Sequence, residues 1–170
     1  MLRPQDILFV MKIKVINDSG ERWTFESVGK AIGISASQAH LAMKRAVKSN
    51  LIRPDGTTRD KAILETLLAT VHYFPGEFGG LTRGIPTSYA AAPLKDTISP
   101  GDEPPPVWPD PEGTVRGLAY EPLYKTAPLA ARQDSKLYEL LALVDAIRSG
   151  RKREAAAATE ELAVRLQGNE

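Results

Sequence analysis

Thr24-Phe25-Glu26-Ser27-Val28-Gly29-Lys30-Ala31-Ile32-Gly33-Ile34-Ser35 is followed by Ala36-Ser37-Gln38-Ala39-His40-Leu41-Ala42-Met43-Lys44-Arg45-Ala46-Val47-Lys48. Thr24 is a good N-cap, because its hydroxyl can accept from the free N–H groups of the next turn. Phe25, Val28, Gly29 and Ile32 then form one apolar stripe, which predicts a short helix over 25–32. Gly33 sits where a helix ends in the left-handed conformation that glycine adopts cheaply. Ser35 is a second N-cap, and Ala39, Ala42, Met43, Ala46 and Val47 supply the buried face of a helix over 36–49. Helix, glycine turn, helix at this spacing is a helix-turn-helix.

Such a unit works on DNA when its second helix packs by one face and offers the other to the major groove. The outward positions here are Ser37, Gln38, Leu41, Lys44, Arg45 and Lys48, with His40 at the margin. Gln38 can pair with adenine through its amide, Arg45 can reach a guanine or a phosphate, and Leu41 can touch a thymine methyl. Ser35, Ser37, Lys44 and Lys48 suit phosphates, and Arg53 extends the set beyond the helix.

Outward from this core, Pro4 and Asp6 suit the first turn of a helix over 4–16, whose apolar face carries Ile7, Leu8, Met11 and Val15. Arg53-Pro54-Asp55-Gly56 is a turn signal at the place of a small β-wing. A helix over 60–73 comes next, with Ile63, Leu64, Leu67, Leu68 and Val71 in register and His72 as a partly buried structural residue. Residues 75–115 lack a convincing period, and seven of the 13 prolines fall between Pro93 and Pro111. This predicts an extended Pro-rich arm, in which 104–109 is a stiff spacer whose Trp108 packs on the body. Helices are expected again over 134–147 and 151–166, broken at Ser149-Gly150, as a helical hairpin. The expected fold is therefore mainly α: a winged helix-turn-helix domain (1–74), an extended arm or linker (75–130) and a C-terminal helical hairpin (131–170) for dimerisation or partner binding.

Composition agrees with a soluble globular chain: 170 residues, 42% hydrophobic, 25% charged and no cysteine. The lack of cysteine and of an apolar leader points to a cytoplasmic protein, and no run is long enough for a membrane span. The net charge of +1 conceals an asymmetry. Residues 1–62 hold eleven Lys/Arg against six Asp/Glu, so they carry +5, and the remainder carries −4. A basic reader attached to an acidic remainder fits duplex DNA as partner. No phosphate loop, nucleophile elbow, paired-acid motif or metal-ligand spacing is visible; the two histidines, His40 and His72, are far apart. No enzyme, cofactor or metal is expected.

The segment 23–46 resembles the winged helix domains of MarR-like and IclR-like bacterial regulators, with Ala31, Gly33 and Ser35 forming the turn shared by many helix-turn-helix families. The likeness covers about residues 4–73 and departs from the pattern in its short wing. The whole chain also resembles an uncharacterised bacterial helix-turn-helix family through its TRGIPTSYAA stretch at 82–91, ahead of a helical tail. Antitoxin-repressors of the AbiE type share the plan of a winged helix followed by a partner-binding region. These resemblances imply a sequence-specific regulator of transcription that binds double-stranded DNA as a homodimer. The alternative is an antitoxin or adaptor that binds a protein partner through its C-terminal half.

Overall fold

A computed structural model of the chain describes residues 1–149 and 151–167. The expected break at Gly150 lies outside them. Helix α1 spans Pro4–Ser19, opened by Pro4 at its first position and closed by Gly20 at φ 73°. Helices α2 (Phe25–Ile32) and α3 (Ala36–Lys48) lie within one residue of the expected limits. Where a small β-wing is expected, the chain forms a single antiparallel bridge between Ile52 and Thr58. Helix α4 (Asp60–Thr70) then passes into a 3-10 turn at Val71–Tyr73. His72 in that turn is exposed, not partly buried.

The expected arm is folded. Strand β1 (Phe78–Pro86) runs antiparallel to both β2 (Pro106–Pro109) and β3 (Val115–Tyr120), and β2 and β3 pair in parallel. Three mutually paired strands close into a miniature barrel. So narrow a barrel leaves no space for side chains where its strands cross, and glycine takes those positions. A Cβ on Gly84 would stand 2.1 Å from the Trp108 carbonyl oxygen, and one on Gly117 would stand 2.0 Å from that of Pro105. Helix α5 (Ala127–Gln133) begins inside the stretch expected to be arm, and leads into the hairpin of α6 (Ser135–Arg148) and α7 (Lys152–Gln167).

One hydrophobic core runs through all of this, from Ile7 on α1 to Leu166 on α7. The division into a domain, a linker and a separate hairpin is therefore corrected. The reason is visible in α1: Ile7 to Met11 are all buried, where an amphipathic surface helix would bury one face. Helices α2, α3 and α6 all pack on α1. No helix among the described residues is long and apolar enough to cross a membrane.

A buried ion pair on α6 fastens the strands to the helices. Asp145 on α6 accepts from the Arg148 guanidinium at 2.6 Å, the Thr87 hydroxyl at 2.6 Å and the Trp108 indole N–H at 2.8 Å. Arg148 also donates to the carbonyls of Phe74 and Glu121 and lies over the Tyr120 ring. Burial pushes the Asp145 carboxyl up from its ordinary value, and Arg148, Thr87 and Trp108 oppose that rise. Trp108 thus packs on the body as expected, but from a strand.

This arrangement can be tested in two ways. Asp145→Ala strands the Arg148 charge in the core and should cost about 3–5 kcal/mol, read as a lowered urea midpoint with an unchanged slope. Burial also pushes the hydroxyls of Tyr120 and Tyr138 up to about 12. Their stabilising contribution is complete below the ordinary tyrosine value of about 10 and is lost as pH rises from there towards 12. Tyrosinate absorbance should show a late-titrating fraction that includes Tyr120 and Tyr138, and denaturant midpoints should fall over that window.

Candidate nucleic-acid interface

Helix α3 is seated by small side chains. Ala39, Ala42 and Ala46 are fully buried, which lets its backbone approach α1 and α2 closely, while Met43 and Val47 fill the flanks. The turn before it is equally tight. Gly33 adopts φ 77°, and a Cβ on Gly29 would stand 2.6 Å from the Ile34 carbonyl oxygen. Reciprocal bonds start both helices. The Thr24 hydroxyl accepts from Ser27 N–H, and the Ser27 hydroxyl accepts from Thr24 N–H. The Ser35 hydroxyl accepts from Gln38 N–H at 3.0 Å, and the Gln38 side-chain carbonyl accepts from Ser35 N–H at 2.9 Å.

Ser35, Ser37, Gln38, His40, Leu41, Lys44 and Lys48 are all exposed, so the structure brings seven of the nine expected residues together at α3. Leu41 is 47% exposed, a large apolar side chain open to solvent in the middle of the ridge. Lys44 and Lys48 form no ion pair among the described residues. The ring of His40 meets Phe25 edge-on at 5.0 Å, at the end of an aromatic series through Trp23 to Phe9. His40 is thereby held in place while remaining exposed.

Two assignments change. Arg45 does not belong to the free ridge: its guanidinium makes two bonds of 2.8 Å to the carboxylate of Asp6, which is fully buried on α1. The bond to Asp6 raises the Arg45 guanidinium above its ordinary value. The pair fastens α3 to α1, so Arg45 orients the ridge rather than reading a base. Gln38 also has a local task, because its carbonyl oxygen caps α3. A two-bond pairing with adenine would need that oxygen released, which leaves the amide NH2 as the available donor. Arg53 stands apart in the wing loop, bonded to Thr57 and Thr58, where it lines a cleft of about 510 Å³ with Arg59 and Lys61.

A second feature beside α3 is invisible to a reading of the sequence. The segment after β3 returns to the helix-turn-helix, and a Cβ on Gly33 would stand 2.9 Å from Thr126 Cβ. Its neighbour Lys125 shares a cleft with Arg3 and Gln38. The contact spans too many residues for a local pattern to reveal it. Among the described residues, no cluster of three or more metal-ligating side chains occurs. Comparison of the chain with family models, curated proteins and solved structures finds no match.

If Arg45 is a strut, Arg45→Ala should lower stability by about 3 kcal/mol, since it leaves a buried carboxylate unpaired. Lys44→Ala, on the exposed face, should stay within about 0.5 kcal/mol of the parent. Chemical denaturation of the two variants side by side distinguishes the roles.

Proposed function

We propose that this chain is a sequence-specific, double-stranded-DNA-binding regulator of transcription that acts as a symmetric dimer. The reading rests on one observation: the ridge of Ser37, Gln38, His40, Leu41, Lys44 and Lys48 is left exposed among the described residues. A helix that carries hydroxyls, an amide, an imidazole, one open apolar side chain and two unpaired lysines has the vocabulary of a major-groove reader. Neighbouring features support it. Alanines press α3 onto its platform, the Asp6–Arg45 pair fixes its angle, and the 1–62 segment carries an excess of positive charge. A platform that holds its side chains still reduces the ordering cost of recognition.

The two-fold arrangement is argued from affinity. One helix in one groove makes few contacts, and regulators of this geometry gain strength by reading two half-sites about one helical turn apart. The selected operator is then a palindrome. The wing, reduced to one bridge, contributes backbone contacts through Arg53 at most, and base reading falls to α3.

The test is duplex binding as a function of salt. The protein should retard duplex DNA with affinity that drops steeply as salt rises, and Lys44→Ala with Lys48→Ala should weaken retardation by tenfold or more without changing thermal unfolding. Selection from a random duplex pool should return a palindrome. A wild-type protein that shows no salt-dependent binding to duplex overturns the reading and favours the protein-adaptor alternative.

A further inference from the structure

After Tyr120 the chain leaves β3 and runs along the N-terminal end of α3. It is fastened there on two sides. Leu123 is buried, and the Tyr124 hydroxyl accepts a hydrogen bond from the Gln5 amide of α1 at 3.1 Å. On the other side Thr126 and Leu129 press against Gly33 in the turn before α3. Lys125 lies between these two anchors, so its backbone is fixed relative to the ridge.

A cleft of about 570 Å³ opens at this place, bordered by Arg3, Gln38, Glu121, Tyr124 and Lys125. Arg3 and Lys125 are both exposed, and neither enters an ion pair or a side-chain hydrogen bond among the described residues. Glu121, the acid on the same border, is exposed, and its carboxylate accepts the Glu77 backbone N–H just before β1. Two cations without an ion pair among the described residues therefore border the same cleft as Gln38, in the first turn of a 13-residue helix whose N-terminal N–H groups add partial positive charge.

We infer that Arg3 and Lys125 hold a phosphate of the DNA backbone beside the N-terminus of α3, so that the C-terminal half of the chain completes the DNA interface. The inference rests on the regulator reading above. A helix that enters the major groove by its N-terminal end has a phosphate strand on either side of it, because the groove is only about 12 Å wide. Cations anchored at that end of the helix meet the strand. Arginine supplies a planar fork for phosphate oxygens and lysine a compact charge. Such contacts position the helix without reading sequence. The overall acidic half thus places a cation at the border where DNA would lie.

The experiment is fluorescence anisotropy on a mixed-sequence duplex over a salt series. It uses the full chain in four forms: wild type, Arg3→Ala with Lys125→Ala, Lys125→Arg, and Lys44→Ala with Lys48→Ala. Loss of two phosphate contacts should make the slope of log K against log salt shallower by about two and weaken binding roughly tenfold to a hundredfold at about 0.1 M salt. Lys125→Arg should behave as wild type, and thermal unfolding should be the same for all four. A wild-type slope for the Arg3/Lys125 variant, alongside a reduced one for the Lys44/Lys48 variant, overturns this inference and leaves the regulator reading standing. Absence of salt-dependent binding by the wild type removes both. Binding of a short polyglutamate peptide with the same dependence on Arg3 and Lys125, but no effect on duplex, assigns the cleft to an acidic protein and also overturns it.

Discussion

Asp145 and Arg148 lie one turn apart on α6, each almost completely removed from water. Isolated charges at such depth are prohibitively costly, and these are tolerated because every side of the pair is occupied. Thr87 comes from the end of β1, Trp108 from β2, and the carbonyls of Phe74 and Glu121 from the segments that enter β1 and leave β3. The miniature barrel has almost no interior of its own, and Trp108 carries it into the common core. It is held to α6 by this set of directed bonds. The long segment between α4 and α5 takes one conformation because one carboxylate and one guanidinium have specific partners in it.

A second buried carboxylate plays the corresponding part at the other end of the molecule. Asp6 has no exposed surface and is met by both arms of Arg45. Packing through Ala39, Ala42 and Ala46 alone would leave α3 free to slide, because alanine surfaces are smooth and offer little register. The two-bond pair supplies the register. The molecule thus uses hydrophobic burial for cohesion and paired charges for geometry. The more exact demands fall on the strands around Thr87 and Trp108 and on the ridge of α3.

The sequence reveals α2, the turn at Gly33 and α3 because their boundaries carry local chemistry. Thr24, Gly33 and Ser35 each act within four residues of themselves, so a linear reading finds them. Helices α6 and α7 are legible for a similar reason, since Leu137, Leu140, Leu141 and Val144 repeat at helical spacing over a long run. The three strands are not. Gly84 and Gly117 stand where alternation would require apolar side chains, and β2 is four residues long with proline at both ends. The period-two signal is erased by the tight closure that defines the barrel. In the candidate site, the alanine positions of α3 correctly separate ridge from platform for Ser37, Leu41, Lys44 and Lys48. Arg45 escapes that separation because its partner lies 39 positions away on α1. Gln38 carries a legible cap pattern with Ser35, and its two roles compete for one oxygen.

The all-round burial of α1 has a consequence for how such a chain can be divided or recombined. In a modular regulator the DNA-reading portion ends at a hinge, and evolution can exchange the module beyond that hinge. Here the first helix is the shared spine of both halves. Severing the polypeptide after α4 would uncover the side of α1 that α6 shelters, turning an interior surface into an adhesive exterior. A chain built this way does not come apart into cassettes, because α2, α3 and α6 all rest on the same spine.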